Sequence, residues 1–550
     1  MIKILVFDFE TFKHDWLVCI YDVGKCKMID IINDKTALSE FYHEHKNDVW
    51  IGYNCRNYDI YILQSILAGF NPKEVNDFII LQNKKGWQFS RTLKQYPLIT
   101  YDVKPSRDKG LKQLEGFMGN DICETSVPFD IDRKLTDEEI QQTLKYCRHD
   151  VMQTFEVFLR LQSDFKAQLG LIKMFDLPFS YISKTKAQLA AVILNAKRNN
   201  YDDEFDIDFP PTLDLHKYRE PISWYLDPKN HKYKVNPANP KSANHQLITK
   251  VAGFDMAFGW GGAHGAKPKY HGKGYFLNMD VASLYPSLMI EYDLHSRSCD
   301  PAKFIDIYDR RLRYKAEGNP QQQPLKIVLN STYGALKADG NGLYDPRQSN
   351  RVCIYGQLLL LDLVEKLEPY CEIIQVNTDG VLVKMHDEQD YDVIDDIAHE
   401  WEKRTRLTLE FDEYSEIYQK DVNNYLLIDH EGKYKAKGSW LKKLSDIDYD
   451  LPIINRALVE YMTHRTPIEA TVMACNDLRD FQMICKASGK YKGLMYGEEL
   501  LDERINRVFA SKDKRAKGLS KLKNDGSVSK YPSAPERCFI NNEHVKGKPC

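Results

Sequence analysis

No two of the twelve cysteines form a C-x-x-C pair, so neither a zinc ribbon nor a thioredoxin-like motif is present to organise the chain. A chain of 550 residues can build cores large enough to dispense with disulfides, and a reducing cytoplasm is the expected compartment. No apolar run approaches the roughly 18 residues that a membrane span needs, and no membrane partner is expected. No signal peptide is expected at the start of the sequence. Met1-Ile2-Lys3-Ile4-Leu5-Val6-Phe7 reads as a buried strand running into acidic residues. Excess charge is missing too: the formal net charge is −3, which excludes a protein that grips nucleic acid through bulk positive charge but leaves room for a local basic groove. There are no internal repeats. What is present is 43% hydrophobic and 28% charged residues, the balance of a folded protein with sizeable cores. The length sets an expectation of three or four domains.

The first stretch alternates strand and helix signals. Strands are expected at Ile2 to Phe7, Trp16 to Tyr21, Cys26 to Ile32 and Asp48 to Tyr53, and helices at Ile60 to Ala68 and Asp137 to Arg160. This is an α/β domain. A less regular segment follows, with a helix at Thr185 to Ala196 and a Pro- and Asp-rich connector at Asp202 to Pro211. The Gly-rich run Gly259-Trp260-Gly261-Gly262 precedes a strand at Tyr275 to Met279. Two helical segments between Ile307 and Ala338 flank a polar turn, and Val352 to Leu367 is an apolar helix. Strands at Ile373 to Val376 and Val381 to Met385 enclose a tight turn at Thr378-Asp379-Gly380. The last hundred residues read as helix with a Lys-rich loop.

Asp8 and Glu10 end the first strand. Residues two apart in a strand share a face, and two carboxylates on one face call for a positive group between them, such as a divalent cation. Alone, D-x-E is more often a solvated strand end. Asp59 follows a second short strand in Asn54-Cys55-Arg56-Asn57-Tyr58-Asp59, and Tyr146 and Asp150 sit one helical turn apart. Together these form a set able to hold two hard metal ions and activate water against a phosphodiester. Farther on, Asp280 leads into Ser283-Leu284-Tyr285-Pro286-Ser287 at a strand end. Lys326, Asn330 and Tyr333 share one helix face, and Asp379 sits in a β-turn. A cation, an amide and a ring on one face suit a triphosphate and a base pair, and Asp280 with Asp379 would make a second two-carboxylate metal site.

In this order the motifs resemble those of family B DNA polymerases. Three resemble the family's exonuclease motifs: Asp8-x-Glu10, Asn54-x-x-x-Tyr58-Asp59 and Tyr146-x-x-x-Asp150. Three resemble its polymerase motifs: Asp280-x-x-Ser283-Leu284-Tyr285-Pro286, Lys326-x-x-x-Asn330-x-x-Tyr333-Gly334 and Thr378-Asp379. The resemblance implies a multidomain α/β and α+β protein, with a ribonuclease H-like exonuclease followed by a right hand of palm, fingers and thumb. The expected boundaries are 1–165 for the exonuclease, 166–270 for a connector and the start of the palm, 271–300 and 341–445 for the palm, 301–340 for the fingers, and 446–550 for the thumb. Asp280 and Asp379 would bind two catalytic Mg²⁺ ions, with Mn²⁺ as an alternative. Asp8, Glu10, Asp59 and Asp150 would bind another pair for 3′-5′ proofreading, with Tyr146 orienting the water. Tyr285 would exclude a 2′-OH, Lys326 would bind the dNTP triphosphate, and Asn330 and Tyr333 would line the nascent base pair. Arg311 and Lys315 resemble the other phosphate-binding pair of the fingers, with Arg310 and Arg313 as rivals for that register. Thr11, Asn54 and Tyr58 would touch a frayed single strand. Tyr425, Lys435, Lys437 and Gly438 resemble the family's primer-strand motifs.

The departures carry information as well. Asn377 stands where the family usually has a first aspartate, Gly380 where it has serine, and Gly259 where the linker motif has tyrosine. The short Asp280–Lys326 and Asn330–Asp379 intervals leave no room for the insertions of protein-primed relatives. A compact phage or mobile-element replicative enzyme that extends an ordinary primer is therefore expected, monomeric, in the host cytoplasm, serving primer-template DNA with or without a processivity factor. The chain starts close to Asp8, so the N-terminal domain of larger relatives is expected to be absent. A C-terminus without a closing helix suggests a truncated or split reading frame. Lysines and arginines between Ser511 and Lys530 outnumber Asp513 and Asp525, a candidate thumb strip for duplex phosphates or else a solvated loop. Two other readings stand beside this one: an exonuclease whose degenerate polymerase half is a DNA-binding platform, and a non-catalytic DNA-binding module.

Overall fold

Leu5, Phe7 and Phe9 enter one core with Trp50, Ile62 and Leu63, while Val6 enters another with Leu144, Cys147 and Val151. This alternation is the period of two of a strand buried on both faces. The strand, Ile4–Thr11, is seen in a computed structural model that describes residues 3–105, 109–445 and 447–550. Ile2, expected to begin it, lies outside the described residues. Ile4–Thr11 is central in a five-stranded sheet. On one side it pairs antiparallel with Trp16–Asp22, which pairs with Lys27–Ile32. On the other it runs parallel to Val49–Gly52, followed by parallel Ile99–Asp102. The helix Asp59–Ala68 covers one face. The helix Asp137–Arg160 covers the other, its start fixed by a capping box between Thr136 and Glu139.

The chain divides into two compact units. The first joins Met1–Ser183 to Leu444–Arg456 and Glu469–Cys550. Its C-terminal part contains a three-stranded sheet (Met483–Lys486, Ile505–Ala510, Cys538–Ile540) and a four-stranded one (Glu499–Leu500, Tyr491–Tyr496, Leu519–Lys523, Val528–Lys530). The last hundred residues are expected to mix helix with a Lys-rich loop: helices occur at Pro452–His464 and Ile468–Ala474 and residues 511–518 are loop, but the sheets are not expected, and the rest of the Lys-rich stretch is corrected to a hairpin, Leu519–Lys523 with Val528–Lys530. Its turn is Asn524-Asp525-Gly526-Ser527, with Gly526 at φ +85°, where Cβ strain is absent. Lys521 lies over the rings of Tyr491 and Tyr531, which packs the lysine stem against the sheet and keeps its charge at the surface.

The second unit, Lys184–Lys443 with Ala457–Ile468, is built on a nine-stranded sheet. Tyr270–Val281 lies near its middle, between Gly380–Met385 and Leu409–Asp421, all antiparallel. The helices Pro301–Ala316 and Gln322–Ala335 are joined by a short polar turn, as expected, and the almost wholly buried Pro346–Leu367 extends the anticipated apolar helix by six residues at its start. The Gly259-Trp260-Gly261-Gly262 run joins the strands Phe254–Gly259 and His264–Ala266. The molecule is thus a mixed α/β multidomain protein with several sheets. Among the described residues no helix is long and apolar enough to cross a membrane.

Candidate active sites

In the first unit, the strand alternation that sends Phe9 into the core turns Asp8 and Glu10 together to the other face. Asp59 opens its helix and accepts a hydrogen bond from Phe9 N at 3.3 Å. The loop before it is shaped by Asp102, whose carboxylate accepts from Asn54 N (2.9 Å) and Arg56 N (3.2 Å). Asn54 takes a left-handed conformation, φ +63°, which asparagine tolerates better than most residues. Tyr146 and Asp150 project from the long helix, and Cys147 between them donates to Asp8 O at 3.4 Å, tying helix to strand. The result is one cleft of about 590 Å³ lined by Asp8, Glu10, Thr11, Asn54, Tyr58, Asp59, Tyr146 and Asp150, so all eight residues singled out in this part of the sequence meet there. The rest of the lining includes Lys73, Asn76, Ile80, Leu81 and Phe129 and two further acids, Asp77 and Asp130.

Four carboxylates in a buried cleft repel one another. Burial, then Asp59, Glu10 and Asp150, push the Asp8 carboxyl well above its ordinary range; burial and Asp150 do the same to Glu10. Burial raises Asp59 to about 7 against the hydrogen bond from Phe9, and Asp150 to about 6 against Lys112. Lys112 is a residue that motif reading missed. It forms ion pairs with Asp150 and with Glu115 (3.2 Å) and stands 4.4 Å over the Tyr146 ring. Burial disfavours its charge, but Asp150 and Glu115 raise its pKa above the usual lysine value. Glu115 is fully buried, with His149 Nε2 at 3.6 Å. Burial opposes the charge on His149, yet Cys123 and Glu115 raise it to about 10. Asp8 and Glu10, with the Cys147 thiol behind them, offer ligand atoms within 4.8 Å of one another, and the two carboxylate oxygens, beside Asp59 and Asp150 in the same cleft, fit a hard divalent cation.

The second cluster lies in the other unit. Asp280 is near the end of Tyr270–Val281, opposite Gly380 on one neighbouring strand and Glu410 on the other. Asp379 occupies the two-residue turn between Glu372–Asn377 and Gly380–Met385, and its carbonyl accepts from Val281 N at 2.7 Å. A Cβ at position 380 would overlap the Asp280 carboxylate, so the glycine found there leaves that carboxylate its place beside the turn. Asn377 accepts from Thr378 N at 3.0 Å within the same turn. The turn is held from outside by His264, whose Nε2 lies 3.0 Å from Thr378 Oγ1, and a Cβ at Gly262 would run into the Thr378 side chain. Neither His264 nor this use of Gly262 was apparent from sequence.

A cavity of about 210 Å³ is lined by Asp280, Asp379, Asn377, Gln375, Tyr425 and Lys435. Lys435 Nζ stands 3.3 Å from Asp280 and 3.4 Å from Asp412. Burial raises the Asp280 carboxyl, Lys435 lowers it and Asp379 raises it again. An all-oxygen pair of this kind suits a hard cation. Tyr285 stacks on Tyr333 with centroids 3.9 Å apart, and Tyr333 lies 2.8 Å from Cys353 Sγ through its hydroxyl. Lys326 and Asn330 are exposed on the same helix, opposite buried Leu325, Val328 and Leu329, with no hydrogen-bond or ion-pair partner among the described residues.

Other residues singled out in the sequence are placed differently. Arg311 is 8% exposed and donates to Ser283 Oγ at 3.0 Å, beside the Asp280 strand end. Its rival Arg310 pairs with Asp306, and Arg313 is exposed beside Tyr314, so Arg311 alone of the three turns inward. Lys315 is exposed and pairs with Glu410 at 3.3 Å. Lys437 lies close enough to His264 to help burial lower that imidazole's pKa. Gly438, at φ +121°, leaves no room for a side chain against Asn424.

A comparison with protein-family models finds no match, and one with curated protein sequences finds none at a significant level. Among solved structures the chain is similar to a family B DNA polymerase from the hyperthermophilic archaeon Pyrobaculum calidifontis, with a TM-score of 0.41 and 14% identity over 98% of this chain and 74% of that one.

Proposed function

We propose that the chain is a template-directed DNA polymerase of the family B type, with 3′-5′ exonucleolytic proofreading. The observation that carries this reading is that five of the six ordered sequence motifs contribute to two acidic clusters, one in each unit, and the sixth reaches the second through the stack of Tyr333 on Tyr285. In this reading residues 1–165 are a ribonuclease H-like exonuclease, 166–270 a connector leading into the palm, 271–300 and 341–445 the palm, and 301–340 the fingers. Residues 446–550 are read as thumb, with 469–550 belonging to the first unit. The compact intervals between polymerase motifs favour a phage-type replicative enzyme that extends an ordinary primer in the cytoplasm.

Asp280 and Asp379 would hold divalent cations, Mg²⁺ first, as would Asp8, Glu10, Asp59 and Asp150. Such ions supply Lewis-acid charge against phosphoryl oxygens. The residues of the chain do the rest. The Tyr285–Tyr333 stack is a flat wall suited to a deoxyribose and hostile to a 2′-OH. The free, exposed face of Lys326 and Asn330 is open to a triphosphate. Lys435, beside Asp280, can hold a primer-terminal phosphate while tempering the repulsion of the two acids. In the other cluster, the ring of Tyr146 beneath Lys112 restricts where a water can sit next to Asp150.

The alternative, an exonuclease whose degenerate polymerase half only binds DNA, draws on Asn377. That residue has a turn-holding role of its own, compatible with an active site carried by Asp280 and Asp379. Extension of a primed circular single-stranded template with dNTP and Mg²⁺ tests the proposal. Extension is expected, and Asp379→Ala should abolish it while leaving primer degradation intact. Undiminished extension by Asp379→Ala refutes the assignment.

A further inference from the structure

The helix Leu111–Met118 carries Lys112 to Asp150 of the acidic cleft, and its far end is closed locally at Gly119, φ +77°, where Gly119 N donates to Gly116 O and Asn120 N to Glu115 O, both at 3.0 Å. Its N-cap, Gly110, makes no side-chain capping bond. Beyond this local cap, carbonyls at and just past the helix end accept further donors from the other end of the chain. Arg507 NH2 donates to Gly116 O (3.2 Å) and Asn120 O (2.7 Å). Arg479 donates to Phe117 O through NH2 (2.7 Å) and Nε (3.2 Å), joined by Gln482 Nε2 at 3.3 Å. Val545 N donates to Gly119 O at 2.9 Å. The approach is close: a Cβ at Gly116 would meet Ile484 Cδ1 at 2.8 Å.

Arg507 is the centre of this seat. It is 0% exposed, yet each hydrogen bond its guanidinium makes among the described residues goes to a neutral amide oxygen: Gln482, Asn541, Glu543, Gly116 and Asn120. A buried charge without a carboxylate is costly. Here converging carbonyls and the negative end of the helix dipole meet the guanidinium directly, and Asp121 attracts it from beyond hydrogen-bond reach. Burial shows in its pKa, lowered to about 10. A neutral side chain would have met the packing need alone. A five-donor fork that grips the end of one helix fixes where that helix points.

We propose that Arg507 is a positioning residue for the acidic cleft of the first unit: it seats the helix Leu111–Met118 and thereby sets the reach of Lys112 to Asp150 and Tyr146. Residues 469–550 then belong to the apparatus of strand degradation as well as to any DNA-holding surface. The inference rests on the exonuclease reading of that cleft and adds to it a dependence that no motif records.

The test follows degradation of a 5′-labelled single strand without dNTP, with primer extension by the same preparation as folding control. A displacement of Lys112 near 1 Å is expected to cost Arg507→Met about 100-fold in kcat, with KM and extension within about twofold. Arg507→Lys, which keeps one donor to the helix end, should recover part of the loss. In a Lys112→Met background, Arg507→Met should cost less than about threefold further, because both act through one contact. Unchanged degradation by Arg507→Met with normal extension overturns the proposal, and so do losses that multiply in the double variant. If Arg507→Met also loses extension, Arg479→Gln decides by the same cycle against Lys112→Met. Degradation that survives Asp8→Ala with Glu10→Ala, or is missing from the parent, refutes the exonuclease reading itself, and this inference falls with it.

Discussion

The Asp379 turn is braced by an absence, the missing side chain of Gly262. A Cβ built there lies 2.5 Å from Thr378 Oγ1, 2.7 Å from its Cγ2 and 3.0 Å from its Cβ. Ordinary contact needs about 3.5 Å, so Gly262→Ala forces the threonine to retreat by about 1 Å. Thr378 is β-branched and stiff at χ1, and its hydroxyl is tied to His264. The strain therefore passes into the backbone that carries Asp379. Overpacking of this kind costs about 1–3 kcal/mol of stability. A 1 Å misplacement of a reacting group costs about 100-fold in rate. Gly262→Ala should thus lower single-turnover primer extension about 100-fold and leave single-strand degradation, which depends on the other cluster, at the parental rate. Thr378→Ala in the same chain removes the two nearest colliding atoms, so the double variant should extend at the rate of Thr378→Ala alone. Parental extension by Gly262→Ala would refute the bracing argument, as would a double variant no better than Gly262→Ala.

Two further outcomes follow from charge. Asp59 has its carboxyl raised from 3.8 to about 7, so the folded protein binds a proton more tightly than the unfolded chain between those values; without divalent cation, stability falls as pH rises through that window. Thermal melts in EDTA should give a lower Tm at pH 8 than at pH 5, added Mg²⁺ should restore more at pH 8, and an equal Mg²⁺ effect at both pH values would count against a metal site. Asp362 is fully buried and binds Arg404 through both oxygens, at 2.8 and 3.0 Å. Asp362→Ala leaves Arg404 with Glu400 and Thr212 O and deprives Asp214 N of its acceptor, and should cost about 1–3 kcal/mol, read as a lower denaturation midpoint of the second unit; an unchanged midpoint would refute the argument.

The acidic residues were legible because a strand and a helix each impose a period. Asp8 with Glu10, and Tyr146 with Asp150, reach a common cleft by the geometry of their own elements. The residues that steady them were not. Lys112 arrives from a helix with no motif, and Asp102 acts through backbone N–H groups. Arg507 sits in Ile505-Asn506-Arg507-Val508-Phe509, all five buried. Its acceptors are mostly main-chain carbonyls, which leave no mark on composition. The Lys-rich stretch was legible only in its first part: residues 511–518 are loop, whereas the hairpin over 519–530 was hidden by its polarity, although Asp525-Gly526 carried a turn signal. Gly380 and Asn377 read as departures from a pattern, and each is explained by space or hydrogen bonding at its own position.

The discontinuity of the first unit also has a bearing on the ribosome. Residues 1–183 emerge first, but the donors that seat the Leu111–Met118 helix, from Arg479 to Val545, are made last. At about 5–20 residues per second, roughly 15–60 s of translation separate the two. Pairings so distant in sequence are slow to form. A nascent chain therefore has the whole sequence of the second unit before the helix Leu111–Met118 of the first can be fully seated, and the acidic cleft beside it is the last part of the molecule to be set.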